Sequence, residues 1–327
     1  MRCTVIVRSR FGLALALAAL VVPLNFARAQ DGKPMRLIVH TTAGSNVDVV
    51  ARRTSQDLSQ RTHQPWVVDN RPGANGVIGA DACAKSPPDG STVCMLSLEV
   101  MSFNPHLLAK LSYDPDRDFR PVINLFNLYS GLIVSPSLGV NSVHELQGLA
   151  VAKRGALNFG TLGAGSYADI FRQWVADRWK TDIVGIPYKG GNLIVNAVMA
   201  GEIQLAMSSP GNVYGQLKSG KAKIIAVGSS RRARLLPETQ TLAEAGLGDF
   251  PSIVWWGLFA PAGTSDAVVS RLNAEVTRLY RETAFVEFLE GQFFEPLLGS
   301  PESFAAFIKA DRERIGQVVK KFNIPNQ

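Results

Sequence analysis

From residue 35 onward, short apolar runs alternate with stretches whose apolar positions recur at helical spacing. "MRLIVHT" is a compact β-prone run, and "VDVVARRTSQDLSQRT" repeats its apolar positions every three to four residues. "PWVVDNR" predicts a second strand, "GVIGADACAKS" a helix, and "STVCMLS" a third strand. A second series opens near "YSGLIVSPS". It continues through helix "VHELQGLAVAKR", strand "LNFGTL", helix "SYADIFRQWVADRWK" and strand "DIVGIPY". Helix "NLIVNAVMAG" and strands "IQLAMSS" and "KIIAVGS" complete it. The strand-like "SIVWWGLFAPAG" then returns the chain to the first series, and three helical patterns follow, ending in "PESFAAFIKADRERIGQVVKKF". Such alternation predicts parallel βαβ units with helices on both sheet faces, hence an α/β chain. It predicts two lobes: residues 30–128 plus 251–327 form the first, residues 129–250 the second, and crossings near 128 and 251 act as a hinge.

At 327 residues and 46% hydrophobic content, the chain can bury the cores of two domains. Its composition suggests neither disorder, collagen nor a coiled coil. The first residues stand apart. Arg2, Arg8 and Arg10 precede the apolar run "FGLALALAALVV", and Ala27 and Ala29 supply small residues after it. This is the layout of a secretory signal peptide, residues 1–29, and it predicts export to the periplasm. The apolar run is too short to span the ~30 Å hydrocarbon core. Removing the peptide takes four arginines and no acid, so the formal charge falls from +7 to +3. The remaining charges are mixed, and "RRAR" is the only basic cluster. No basic face interleaved with aromatics marks a nucleic-acid partner.

Cys83 and Cys94 flank a Pro-Pro-Asp-Gly turn in "ADACAKSPPDGSTVCML". In an exported protein a disulfide across that turn is favoured over two buried thiols.

The motif "AGSNVDVV" (43–50) recurs as "AGSYADIF" (164–171), each after a strand and at the start of a helix. Both copies contain Gly-Ser-x-x-Asp. As a capping box, Ser45 or Ser166 accepts the amide three residues on, and Asp48 or Asp169 reaches back to the cap's own N–H. As a ligand loop, the same helix start offers unpaired amides and a partial positive charge to an anion. Ligands of open α/β sheets bind beyond the carboxyl ends of the strands, where both copies lie. Two lobes face two such loops into one cleft. The capping aspartates oppose excess anion affinity. The pattern Gly163-x-Gly165-x-x-Ala168, with Asp182 downstream, also resembles a dinucleotide fingerprint, but alone that pattern is weak and an exported protein has little access to a loosely held nicotinamide. No cofactor is expected.

Catalytic and metal patterns are absent from the sequence. His40, His63, His106 and His144 form no HExxH, and there is no G-x-S-x-G. His40 ends the first strand and either lines the cleft or is structural.

Several long segments carry a more specific signal: "NRPGANGVIGADACAKSPPDGST", "NPHLLAKLSYDPDRDFRPV", "IPYKGG", "AGEIQLAMSS", "GKAKIIAVGSSRRARLLPETQTLAEAG" and "WWGLFAPAGT". With the two Gly-Ser loops they span nearly all of residues 34–327. On these segments the chain resembles the Bug (TctC) family of periplasmic solute-binding proteins, associated with tripartite tricarboxylate transporters. The resemblance implies a Venus-flytrap fold closing on a small ligand, commonly a carboxylate, with no catalysis and with membrane permease subunits as partners. The family's first loop commonly reads P-G-G-x-x-D; here Ala43, Gly44, Ser45, Asn46, Val47 and Asp48 stand there, without the proline and second glycine. Its second commonly reads G-x-G-S-x-x-H; Gly163, Gly165 and Ser166 match, and Asp169 replaces the histidine. These departures leave the ligand's identity open.

The expected ligand contacts are Gly44, Ser45, Asn46 and Asp48 in the first loop and Thr161, Gly163, Gly165, Ser166 and Tyr167 in the second. Ser97, Glu99, Tyr188 and Ser208 join them from strand ends; Lys189, Ser209, Trp255 and Trp256 are weighed as neighbours. A Glu99 facing the cleft repels a dicarboxylate and favours an amine or a neutral group. The expected state is a monomeric binding protein. The alternatives are a ligand sensor serving a membrane kinase, or an exported enzyme reusing the scaffold, the latter requiring His40 within hydrogen-bond reach of a serine.

Overall fold

The computed structural model describes residues 33–188, 191–250 and 254–322, together with Met1. The expected signal peptide beyond Met1, Lys189 and the second crossing near residue 251 lie outside the described residues.

The strands are β1 (Met35–Val39), β2 (Trp66–Asn70), β3 (Thr92–Ser97), β4 (Phe119–Leu128), β5 (Ser130–Val134), β6 (Asn158–Thr161), β7 (Val184–Pro187), β8 (Leu205–Ser208), β9 (Lys223–Gly228), β10 (Val254–Pro261) and β11 (Phe294–Pro296). The helices are α1 (Asn46–Thr62), α2 (Val77–Ala84), α3 (Asn104–Leu107), α4 (Val143–Ala152), α5 (Tyr167–Trp179), α6 (Gly191–Ala200), α7 (Tyr214–Lys218), α8 (Asp266–Tyr280), α9 (Thr283–Gly291) and α10 (Pro301–Lys321). They build two sheets, ordered β11-β4-β10-β3-β1-β2 and β7-β6-β8-β5-β9.

The parallel expectation holds for β1 with β2 and β3, and for β6 with β7 and β8. It fails for β10, which is antiparallel to both β3 and β4, and for β5, antiparallel to β8 and β9. The cause is the path of the chain. Strands β3, β4, β6, β8 and β9 run toward the space between the sheets. Strands β5 and β10 each open a return into a sheet from that space, so they run the other way. Only Tyr129 separates β4 from β5.

Strand β4 has no counterpart in the periodicity reading. It carries Asn124 and Asn127 among apolar neighbours, and both are buried. Asn127 Oδ1 accepts the Val254 amide at 2.8 Å, so a polar side chain stitches two adjacent strands. Strand β11, only three residues long, was likewise not anticipated between the last helices.

Apolar faces fix the layers. Val50, Leu58, Leu272 and Val276 from α1 and α8 pack with Leu37 and Val93 on one face of the first sheet. Trp255, Phe259, Phe304 and Ile308 pack α10 on the other face, in a cluster that continues to Phe171 on α5 and to Phe250. Adjacent residues of a strand face opposite sides, which is why Trp255 and Trp256 join different layers. Trp255 Nε1 donates to Asp311 Oδ2 at 2.8 Å, and Ser102 Oγ donates to the same oxygen at 2.7 Å. Asp311, buried on α10, therefore ties β10 to the π-turn of Glu99–Phe103.

Cys83 at the end of α2 and Cys94 in β3 are joined as a disulfide, with Cα atoms 6.1 Å apart. Both are buried, so the bridge clamps α2 onto the strand that leads to Glu99. The double variant Cys83→Ala/Cys94→Ala is expected to lose about 2–3 kcal/mol of stability, since a short loop is closed in the unfolded chain. Urea titration of the variant checks this; an unchanged midpoint would show that the bridge contributes nothing.

Candidate functional site

A cleft of about 470 Å³ opens where the strand ends of the two sheets converge. Glu99, Phe103 and Leu128 line it from the first sheet's side, Tyr129 and Ser130 from the crossing, and Leu162, Ser166, Tyr167, Met207 and Ser208 from the second. Most of the wall is apolar. Among the described residues that line it there is no lysine, arginine or histidine, and Glu99 is the acid.

The two Gly-Ser loops share one geometry. Ser45 Oγ accepts the Asp48 amide at 3.2 Å, and Ser166 Oγ accepts the Asp169 amide at 3.4 Å, so both serines cap their helices. The aspartates do not bond the cap's own N–H, as a standard capping box would. Asp48 Oδ2 takes the Gly44 amide at 2.8 Å, and Asp169 Oδ2 takes the Gly165 amide at 3.2 Å. The cap amides turn inward instead, Ser45 to the Thr42 carbonyl and Ser166 to the Gly163 carbonyl. The glycine before each cap sits at positive φ, +80° at Gly44 and +74° at Gly165, which aims its N–H at the carboxylate.

An arginine one turn later completes each arrangement. Arg52 Nε donates to Asp48 Oδ2 at 2.9 Å, and Arg172 donates twice to Asp169 Oδ1, at 3.0 and 2.8 Å. Asn70 adds a bond to Asp48, and Gln173 one to Asp169. Burial pushes the Asp48 carboxyl up, but the bonds from Arg52, Gly44 and Asn70 outweigh it and hold the carboxyl below its usual value. Both aspartates are buried structural anchors, which answers what replaces the histidine at position 169. At the start of α5 the Tyr167 and Ala168 amides, at the first two helical positions, have no acceptor within the helix.

Glu99 follows β3 and opens the π-turn. Its side chain is partly exposed on the cleft wall, while Oε2 is buried and has no hydrogen-bond partner. Burial raises the pKa of its carboxyl; the Ser97 hydroxyl and Glu99's own amide oppose that rise, and nearby Asp311 adds to it. Behind Glu99, Ser97 Oγ lies 3.0 Å from His40 Nε2. The His40 ring stacks on Trp256 with centroids 4.5 Å apart. Histidine is thus within reach of a serine, but Ser97 is fully buried and absent from the cleft wall. The serine also stands between base and acid. A nucleophile–base–acid chain places the histidine there.

The expected contacts divide by placement. Glu99, Gly165, Ser166, Tyr167 and Ser208 line the cleft. Gly44, Ser45, Asp48, Ser97, Thr161, Gly163 and Tyr188 do not; Thr161 instead accepts the Gly163 amide on Oγ1 and the Tyr188 amide on its carbonyl. Asn46 is also off the wall, its Nδ2 lying beside Gly211 on the turn that carries Ser209 and Asn212. In this structure the Ser45 loop is not part of the cleft wall that Ser166 lines. Unanticipated wall residues include Asn75 and Asn104, which bond each other through Asn75 Nδ2 to Asn104 Oδ1 at 2.7 Å. They lie in the "NRPGANG" and "NPHLL" segments, and only the resemblance singled those out. Tyr129, whose hydroxyl burial pushes up to about 12, and Ser130 came into view only through the crossing.

Ser45→Ala and Ser166→Ala are each expected to cost ~1 kcal/mol of unfolding free energy, as lost helix caps do. Chemical denaturation measures both, and a cost near zero would remove the capping role. Burial lowers His40 from 6.5 to about 4, so the folded chain holds the neutral ring while the unfolded chain takes up a proton. His40 therefore contributes stability above about pH 6.5 that is lost as pH falls toward about 4. His40→Phe keeps a ring on Trp256 and is expected to flatten the stability profile between these limits; equal slopes for both proteins would refute the assignment.

A family model described as "Tripartite tricarboxylate transporter family receptor" matches residues 50–324. The UPF0065 protein in the tcbD-tcbE intergenic region of Pseudomonas sp. is 31% identical over 314 residues, covering 96% of this chain and 93% of that one. Among solved structures, one described as a periplasmic transporter superposes with TM-score 0.81 at 31% identity, covering 91% of this chain and 99% of that chain. R. palustris Rpa4515, solved with adipate, gives TM-score 0.81 at 28% identity over 90% and 98% of the two chains. MatC from Rhodopseudomonas palustris, with bound malate, gives 0.73 at 27% identity over 88% and 98%. The two sheets form the two-lobed fold of these periplasmic binding proteins, and the chain belongs to the TctC family of tripartite tricarboxylate transporter receptors, which bind solutes.

Proposed function

We propose that the protein works in the periplasm, captures a small organic acid in the cleft between its sheets, and delivers it to the membrane subunits of a tripartite transporter. The observation that carries this is the converging set of strand ends around the cleft, in a chain whose neighbours hold adipate and malate. One end of the cleft is the start of α5, where Ser166, Tyr167 and Ala168 line the wall. Its free amides and partial positive charge hold a carboxylate without a cationic side chain.

Residues 30–128 with 251–327 act as one lobe and residues 129–250 as the other, moving about Tyr129 and the return crossing. The ligand favours the closed state by touching both lobes. The protein acts as a monomer and performs no chemistry on its cargo.

Thermal-shift screening of the purified protein against carboxylates and amino acids tests the reading. A ligand at 100 times its Kd adds about 2.7 kcal/mol of stability. No shift across the panel, with no compaction in small-angle scattering, would sink it. With a ligand in hand, Ser166→Ala is expected to weaken binding several-fold, because the hydroxyl donates to the Gly163 carbonyl at 2.8 Å, accepts the Asp169 amide, and so holds the amides of this helix start in place. Ser45→Ala, off the cleft wall, is expected to leave Kd unchanged. Equal effects from the two would place the ligand elsewhere.

A further inference from the structure

The cleft is electrically two-ended. On the second sheet's side the start of α5 presents amide donors. On the first sheet's side stands Glu99, and no cationic side chain shares the described wall with it. Between them the wall is apolar, with Phe103, Leu107, Ile194 and Met207.

Behind Glu99, Ser97 Oγ is engaged by His40 Nε2 at 3.0 Å. Oε2 still lacks a partner. A ligand donor beside Glu99 stabilises its ionised form and gives the carboxyl a partner. A ligand carboxylate there supplies no donor and disfavours the ionised form further.

We propose that Glu99 is the specificity-determining residue of the cleft, selecting an acid that carries a hydrogen-bond donor, an ammonium or a primary amide, at the end remote from its carboxylate, and rejecting dicarboxylates. This rests on the reading of the cleft as a solute site and narrows its cargo. The carboxylate lies at α5, the carbon chain along the apolar wall, and the N–H group beside the Glu99 side chain on the wall. Ammonium and amide share this chemistry and differ in charge, so a matched series separates them.

The experiment is isothermal titration calorimetry at neutral pH on the protein purified from the periplasm, with four compounds on one carbon skeleton: adipate, adipamate, ε-aminocaproate and hexanoate. Adipamate and ε-aminocaproate are expected to bind at least about tenfold more tightly than adipate, the order of one charge-assisted hydrogen bond. Glu99→Gln, near in shape and uncharged, is expected to weaken ε-aminocaproate about tenfold and to bring adipate close to adipamate. Its unliganded melting temperature is expected to equal or exceed that of the wild type, because the amide is less costly to desolvate than the carboxyl. Should the variant fail to fold, the wild-type ranking decides alone. Adipate binding the wild type as tightly as the donor-bearing compounds, or an unchanged ranking in Glu99→Gln, overturns the role of Glu99 and leaves solute capture standing. No binding by any of the four overturns the donor-bearing class, and the wider carboxylate panel then judges solute capture separately.

Discussion

Only Tyr129 lies between the end of β4 in one sheet and the start of β5 in the other. That constraint orders much of the molecule. A strand that leaves one sheet and enters the next without a turn must end its first run, and begin its second, in the space between them. Strand β5 therefore opposes the strands that finish there, and β10 does the same in the first sheet. The loops after β3, β6 and β8 are brought to the same place, so the residues that follow those strands become the cleft wall. Tyr129 is held there by its amide, which donates to the Phe293 carbonyl at 3.0 Å, and by near-complete burial.

The electrostatics of the cleft follow from how the helix starts are satisfied. A helix N-terminus is usually offered to an anion as bare amides. Here Asp48 and Asp169 each sit under one and consume part of the positive end, with Arg52 and Arg172 balancing the carboxylates from outside the cleft wall. What remains is local: two amides on α5 at one side, an unmatched carboxyl oxygen on Glu99 at the other.

The alternation of strands and helices was legible because each sheet's parallel core is built from short apolar runs with amphipathic helices between them. The repeated Gly-Ser-x-x-Asp stood out for the same reason, since a positive-φ glycine, a capping serine and a third-position acid are local requirements. Strand β4 was hidden by Asn124 and Asn127, whose burial is justified only by partners far away in sequence. The direction of β5 and β10 depends on where the chain crosses, which periodicity does not encode. In the site, Ser166, Tyr167 and Ser208 could be anticipated from their place after strands. Asn75 and Asn104 could not, because their role comes from pairing across the wall. Ser97 and Thr161 also follow or end strands, but in this structure they are off the wall and bond His40 and the Gly163 amide.

The contact between Asn46 and Gly211 bears on how the molecule is dimensioned. A methyl group on residue 211 would stand 2.8 Å from Asn46 Nδ2 and 3.6 Å from the Gln292 carbonyl oxygen. The loop that opens α1 and the turn beyond β8 thus approach each other through a gap one carbon wide, immediately beside the wall residues Ser209 and Asn212. A side chain at residue 211 would have to displace the Asn46 amide, so the glycine is what lets the two halves of the protein come this close on that flank.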